Sequence, residues 1–106
     1  MLDKRKFYIN GKWVSPSKPN DLDVINPSTE EAFATISLGS KEDTNAAVSA
    51  AKKALVTWSE SSKEERVNLL EKLLDIYKKR YSEMVEAISM EMGAPMDWSR
   101  DSQTSS

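Results

Sequence analysis

The residue types that perform most enzyme chemistry are absent from this chain. There is no cysteine and no histidine among its 106 residues. A thiolate nucleophile, a Ser-His-Asp triad, a disulfide and a Cys/His metal site are therefore excluded. The three glycines, Gly11, Gly39 and Gly93, stand far apart, which excludes a glycine-rich phosphate or dinucleotide loop. The residues themselves predict no catalytic centre.

Adjacent carboxylates are the remaining candidates for acid–base chemistry. They occur at Glu30-Glu31, Glu42-Asp43 and Glu64-Glu65. A general acid and a general base need a cleft that separates their pKa values. Each pair stands instead at a predicted turn or in the first turn of a predicted helix, where capping and the helix dipole account for it. We interpret all three pairs as structural.

Composition and charge exclude several classes of partner. The formal net charge is -2, with 39% hydrophobic and 30% charged residues, so no basic field is available for nucleic acid or an anionic membrane. The three tryptophans are accordingly interpreted as packing residues, not as base-stacking platforms. No apolar run approaches the roughly 20 residues of a membrane span. The first residues lack the apolar core of a signal peptide, and the expected location is cytoplasmic.

The N-terminal third predicts two β-hairpins. Residues 7–14 are aromatic and β-branched around Asn10-Gly11, which suits a two-residue type I′ turn. Residues 22–37 form the second hairpin, which turns at Asn26-Pro27. The basic run at residues 4–6 is interpreted as a solvated lead-in.

A helical block follows and completes an α+β fold. Its three helices are predicted over residues 40–58, 62–80 and 82–92. Ser40 and Ser62 begin the first two with capping boxes, and Gly93 is a natural left-handed stop for the third. Residues 95–106 are interpreted either as the start of a further helix or as a frayed tail, cut from something longer.

The second helix has a wide apolar face with two rows of side chains. One row is Val67, Leu70, Leu74, Tyr77 and Tyr81, and the other is Leu69, Leu73 and Ile76. Such stripes usually pack within the same molecule. The alternative is a surface for a partner, because three helices and two ribbons carry more apolar face than 106 residues can easily hide.

An ordered series of motifs resembles the opening of an aldehyde dehydrogenase. The series is Phe7-Tyr8-Ile9-Asn10-Gly11-Lys12-Trp13-Val14, Val24-Ile25-Asn26-Pro27-Ser28-Thr29-Glu30-Glu31, Trp58-Ser59, Glu65-Arg66 and Glu91-Met92-Gly93-Ala94-Pro95. The resemblance implies that residues 1–106 are the N-terminal segment of the cofactor-binding domain of the α/β aldehyde dehydrogenase fold. It also implies an NAD(P)-dependent oxidation of an aldehyde to a carboxylic acid through a cysteine thiohemiacetal.

The same resemblance implies that this chain carries no catalytic and no cofactor-binding residue. The family's nucleophilic cysteine, general-base glutamate, oxyanion asparagine and cofactor loops come later in its sequence. NAD or NADP is therefore not expected to bind this chain alone, and the chain is expected to be inactive by itself, as a truncation, an early stop or a split gene. Its expected partners are the rest of the subunit or other subunits of an oligomer. The alternative is a non-catalytic interaction module that pairs with a complementary or an intact subunit.

One site carries over from the resemblance. Family members often hold a monovalent cation with backbone carbonyls before the Asn-Pro and an acidic side chain before the helix-ending glycine. The matching positions are Val24, Ile25 and Glu91, whose carbonyl and carboxylate oxygens are suitable hard ligands. Further ligands would come from later sequence. The alternative is that Glu91 is an ordinary exposed helix residue.

Overall fold

A computed structural model describes residues 1–105 as five strands followed by helices. The strands are β1 (Leu2–Lys4), β2 (Phe7–Ile9), β3 (Lys12–Val14), β4 (Asp21–Asn26) and β5 (Glu31–Ser37). The helices are α1 (Lys41–Trp58), α2 (Lys63–Lys79), α3 (Tyr81–Met92) and a short α4 (Met96–Trp98), which continues into a π-helix, Ser99–Thr104. The predicted α+β class is confirmed.

The chain divides into two compact units. The first contains residues 1–24 and 32–61, and the second contains residues 25–31 together with the chain from Ser62 onward. The strand β4 is therefore divided between the two units, and the turn after it belongs to the second.

The first hairpin of unit one has the register that its Asn-Gly turn predicts. Strands β2 and β3 are antiparallel and pair Tyr8 with Trp13. Asn10 and Gly11 have φ angles of 54° and 76°, the left-handed values that a type I′ turn requires. The rings of Tyr8 and Trp13 meet edge to face with their centroids 5.2 Å apart. The pair stabilises a ribbon of only three residues per strand.

A three-stranded sheet in the order β1-β5-β4 completes the strands. Strand β1 pairs in parallel with β5, with Leu2 opposite Ala34 and Lys4 opposite Ile36. Residues 4–6 are exposed, as the interpretation of a solvated lead-in expects, but Lys4 belongs to a strand that the sequence did not predict. A three-residue strand is too short to show an alternating pattern. Strand β1 pairs with the edge of β5 through backbone hydrogen bonds, which depend little on side-chain type.

Charged groups fasten β1 to its surroundings. Arg5 donates from Nε to Asp3 Oδ1 and from Nη2 to Asp3 Oδ2, both at 2.9 Å, and from Nη1 to Asp21 Oδ2 at 3.3 Å. The hydroxyl of Ser37 donates to the Arg5 carbonyl at 2.7 Å. The hydrogen bonds from Arg5 hold the pKa of Asp3 at about 2. The cluster links the start of the chain to β4 and β5.

The Asp3 carboxylate predicts a pH dependence with a defined sign. Its pKa in the folded chain lies below the ordinary value of 3.8, so its contribution to stability is present above about pH 4 and is lost as the pH falls toward 2. The substitution Arg5→Gln should raise the pKa of Asp3 toward its ordinary value, measured by carbon-13 NMR of the side-chain carboxyl. Lys6→Gln is the matched control. An unchanged pKa in Arg5→Gln would contradict the cluster.

The first two helices begin with the capping boxes that the sequence predicts. At α1, the Asp43 N–H donates to Ser40 Oγ at 3.3 Å, and the Ser40 N–H donates to Asp43 Oδ2 at 2.9 Å. At α2, the N–H groups and side chains of Ser62 and Glu65 exchange the same two bonds, each at 3.1 Å. The Asp43 carboxylate also accepts the Ser17 N–H at 2.9 Å. These bonds from Ser40 and Ser17 lower the pKa of Asp43.

In the second unit, two tyrosines fix the C-terminal helical segment. Tyr77 Oη donates to the Thr104 carbonyl at 2.7 Å, and Tyr81 Oη donates to the Arg100 carbonyl. Ser99 and Thr104 are buried. Residues 96–104 are therefore helical and packed, which favours the further helix over the frayed tail. Ser106 lies outside the described residues.

Few apolar side chains are buried among residues 1–105. The buried ones are Ala34, Val85 and Ala94. Helices α1 and α2 have no buried residue, and Leu70 and Leu73 of α2 are 63% and 61% exposed. The three tryptophans are exposed as well. The interpretation that the helical stripes pack on one another is wrong for α2, and its apolar face remains available to another part of a protein.

Candidate functional site

The turn between β4 and β5 meets the C-terminal end of α3. Gly93 ends this helix with φ 72°, and its N–H donates to the Ser89 carbonyl at 2.9 Å. A Cβ atom placed on Gly93 would lie 3.1 Å from Pro27 Cγ and 3.4 Å from Pro27 Cβ. The distance of 3.1 Å to Pro27 Cγ is shorter than an ordinary van der Waals contact. Glycine is required here both for its backbone conformation and for the space it leaves.

The turn is held by its own hydrogen bonds. The Asn26 side-chain oxygen accepts the Ser28 N–H at 2.9 Å, and the Asn26 carbonyl accepts the Glu30 N–H at 2.8 Å. Glu30 has φ 60°, a left-handed conformation that is uncommon for a residue other than glycine. On the helix side, Ser89 Oγ donates to the Ala94 carbonyl at 2.7 Å. Both sides of the contact are therefore locally ordered.

The predicted cation ligands lie on the segments that this contact joins. Ile25 precedes Pro27 by two residues on β4, and Glu91 precedes Gly93 by two residues in the last turn of α3. Both side chains are exposed. Val24, half-buried, belongs to the first unit. The proximity of the two segments is compatible with the half-site, whose ligation stays a prediction.

Clusters of metal-binding side chains do not occur in the described part of the chain. Within residues 1–105, no group of three or more Asp, Glu, His or Cys side chains could hold a metal ion. The predicted half-site uses one carboxylate and backbone carbonyls, so it lies outside this type of cluster. Any cation bound here needs further oxygen ligands, since a hard cation is held by several oxygens at once.

A groove runs between the first hairpin and α1 within the first unit. Its volume is about 530 Å³, and its lining includes Ile9, Lys12, Val14, Asp43, Ala46 and Lys53. The Asp43 carboxylate already accepts the N–H groups of Ser40 and Ser17. The lining offers no nucleophile activated by a neighbouring base. The groove therefore lies between the hairpin and α1, and its lining residues do not form a catalytic site.

The carboxylate pairs have the structural role that the sequence predicts at both capped helices. Asp43 and Glu65 close the N-termini of α1 and α2. A helix N-terminus is an ordinary site for a phosphate group. Here each carboxylate accepts the N–H of the capping serine, and the serine hydroxyl accepts the N–H of the acidic residue. These two helices do not present a pyrophosphate site.

Sequence reasoning missed the tertiary contacts that order this region. The approach of Pro27 to Gly93 could not be predicted from the neighbouring sequence, because neither residue type indicates a contact with a distant residue. The hydrogen bonds of the Tyr77 and Tyr81 hydroxyls have no local signal either, since both tyrosines fit the apolar row that the sequence predicts for the second helix. No helix among residues 1–105 is long and apolar enough to span a membrane.

Comparison with known proteins gives one consistent family. The model of the aldehyde dehydrogenase family matches residues 13–106. A 3-succinoylsemialdehyde-pyridine dehydrogenase from a Pseudomonas species is 44% identical over 96 residues, which are 91% of this chain and 20% of that protein. The chain thus spans about a fifth of the length of this relative.

Solved structures agree with the sequence comparison. The crystal structure of an aldehyde dehydrogenase from Bartonella henselae matches 99% of this chain and 22% of its own, with 59% identity and a TM-score of 0.97. A mutant of aldehyde dehydrogenase C from Pseudomonas syringae, in complex with NAD+ and octanal, matches 95% of this chain and 21% of its own. Its identity is 39% and its TM-score 0.93.

Proposed function

This chain belongs to the aldehyde dehydrogenase family, and we propose that it supplies the N-terminal scaffold of an NAD(P)-dependent enzyme that oxidises an aldehyde to a carboxylic acid. The observation that carries the proposal is the match of 99% of the chain to 22% of a longer aldehyde dehydrogenase at 59% identity. We assign residues 1–106 to the cofactor-binding domain of that enzyme. The proposed compartment is the cytoplasm, where the family's catalytic thiol stays reduced.

The chain's own residues do not fit a nicotinamide cofactor. Gly11 stands at a turn and Gly93 at a helix cap, and the N-termini of α1 and α2 are closed by Asp43 and Glu65. No cysteine is present to attack an aldehyde. The aldehyde and NAD+ held by the Pseudomonas syringae protein therefore support the chemistry of the whole proposed enzyme, with the binding groups outside this chain.

The exposed face of α2 supports a scaffold role. Leu70 and Leu73 are more than 60% exposed, and leaving large apolar side chains in water forfeits about 1.5–3 kcal/mol for each one. A soluble monomer rarely presents a continuous apolar helix face. We propose that the remainder of an aldehyde dehydrogenase subunit covers this face.

Activity measurements test the proposal directly. The purified chain is expected to produce no NADH or NADPH with short aldehydes, because it lacks the nucleophile. Mixing it with the part of the Bartonella henselae enzyme that it does not match should restore turnover. Turnover by the chain alone, or no restoration despite a formed complex, would contradict the proposal. The same enzyme part without the chain is the control.

A non-catalytic interaction module is the second candidate, favoured by the same exposed face of α2. In that role the chain would pair with intact subunits of a related enzyme. Size exclusion with light scattering, with and without the intact Bartonella henselae enzyme, separates the two roles. A complex with the intact enzyme that leaves its activity unchanged supports the module. A chain that binds only the complementary part supports the scaffold.

We also propose that the carbonyls of Val24 and Ile25 and the carboxylate of Glu91 contribute to a monovalent cation site in the complete subunit. The contact of Pro27 with Gly93 supports it, because the contact brings the segments of Ile25 and Glu91 together. In the reconstituted complex, Glu91→Gln should reduce the rise in melting temperature that KCl produces over choline chloride. Glu86→Gln, an exposed carboxylate on the same helix, is the matched control. An equal response of Glu91→Gln and the unmodified complex would reject the site.

A further inference from the structure

The tip of the first hairpin combines an amide side chain with an unhindered backbone nitrogen. Asn10 and Gly11 are both exposed, with φ angles of 54° and 76°. A Cβ atom built on Gly11 would meet no atom within 4 Å, so the space beside its Cα is open, and glycine has no side chain that could hinder its own nitrogen. The ladder pairs Ile9 with Lys12, which leaves the two turn residues outside the paired register.

We propose that Asn10 is a site of spontaneous deamidation. The Gly11 backbone nitrogen attacks the side-chain carbonyl carbon of Asn10 and loses its proton to solvent. A C–N bond forms, the bond from that carbon to the side-chain nitrogen breaks, and this nitrogen takes a proton from solvent and leaves as ammonia. The product is a five-membered succinimide. Water then opens the ring at either carbonyl, which yields aspartate or isoaspartate, and no oxidant or reductant takes part.

The other four asparagines of the chain lack this combination. Asn26 precedes Pro27, which has no N–H to act as the nucleophile, and its side chain already accepts the Ser28 N–H at 2.9 Å. Asn45 and Asn68 lie inside α1 and α2, where the helix fixes the backbone. Asn20 precedes Asp21, whose side chain hinders the nitrogen. These four positions are internal controls within the same molecule.

The hairpin also opens at low cost. Its strands have three residues each, and an isolated two-stranded ribbon is marginally stable in water. Tyr8 and Trp13, the cross-strand pair next to Ile9 and Lys12, are 63% and 67% exposed. Local opening lets the Asn10 side chain reach the geometry of attack, so the rate follows the open population.

The reaction would change both the charge and the backbone of the turn. Either product places a carboxylate beside Lys12, and isoaspartate adds one methylene to the main chain. A two-residue type I′ turn has no room for an extra backbone atom. The pairing of Tyr8 with Trp13 would then be lost in the isoaspartate form.

Peptide mapping by mass spectrometry after incubation at mildly alkaline pH tests the proposal. The expected result is the mass increase of an amide-to-acid change on the peptide that contains Asn10, well before any change at the other four asparagines. Electron-transfer fragmentation distinguishes isoaspartate from aspartate. Asn10→Gln is the control, because its cyclisation would need a six-membered ring. An intact Asn10, at a time when a free peptide of residues 7–14 has fully converted, would overturn the proposal.

A second variant tests the dependence on opening. Tyr8→Ala removes the ring pair and should accelerate the change at Asn10 by roughly two- to tenfold, the range expected for the loss of one aromatic contact. Far-ultraviolet circular dichroism checks that the helices persist in this variant. Equal rates in Tyr8→Ala and the unmodified chain, with the helices intact, would reject the role of hairpin opening.

Discussion

Replacing Gly93 with alanine is expected to lower the free energy of unfolding by about 2–5 kcal/mol. A left-handed backbone costs a residue with a Cβ roughly 1–2 kcal/mol. The new methyl would also lie 3.1 Å from Pro27 Cγ, and overpacking of this kind typically costs about 1–3 kcal/mol. Urea unfolding followed by circular dichroism measures the change.

Two glycine controls separate backbone strain from crowding. Gly11 has φ 76° with nothing within 4 Å of a built Cβ, so Gly11→Ala should show only the strain, about 1–2 kcal/mol. At Gly39 the nearest atom is Phe7 Cζ at 3.6 Å, an ordinary contact, so Gly39→Ala should stay within about 0.5 kcal/mol. If Gly93→Ala costs no more than Gly11→Ala, the turn at Pro27 does not press on the helix end.

Truncating Val85 is expected to cost more than truncating the larger Leu73. Val85 is 1% exposed, and the loss of two buried methyl groups plus the cavity should cost about 2 kcal/mol. Leu73 is 61% exposed, and alanine is the better helix former. Leu73→Ala should therefore change the free energy of unfolding by less than about 0.5 kcal/mol. The same urea experiment compares the two variants.

The order of the two costs in free energy of unfolding should reverse when the apolar face of α2 is covered. In the complex with the complementary enzyme part, Leu73→Ala should cost about 2–5 kcal/mol, as a buried leucine does. Val85→Ala should keep its cost, because its surroundings lie within the chain. A large cost of Leu73→Ala in the isolated chain would show that α2 already packs on another element. An unchanged small cost in the complex would refute the coverage of α2.

Local rules were sufficient for much of the fold. The Asn10-Gly11 turn specified the register of the first hairpin, because only left-handed residues allow a two-residue turn of that twist. Ser40 and Ser62 specified two helix starts, because a hydroxyl and a carboxylate three residues later can satisfy the free N–H groups. These signals depend on neighbouring residues, so they are visible in the sequence.

Other features depended on distant neighbours and were misread or invisible. Strand β1 exists because the edge of β5 accepts it, and its three residues show no alternating pattern. The helix after Pro95 is ordered by Tyr77 and Tyr81, whose hydroxyls bind carbonyls more than ten residues away. At the candidate site, Ile25 and Glu91 could be named from the family resemblance. Only the contact of Pro27 with Gly93 shows that the segments of Ile25 and Glu91 lie close together.

The sequence by itself therefore determined the α+β class, the helix caps, the family, and the absence of a thiol or imidazole for catalysis. These properties depend on residue types and on spacings within a few residues. Tertiary structure alone decided that the turn at Pro27 lies against Gly93 and that the leucines of α2 stay exposed. Packing joins residues far apart in the chain, and an apolar stripe has the same pattern whether its partner lies in the same chain or in another.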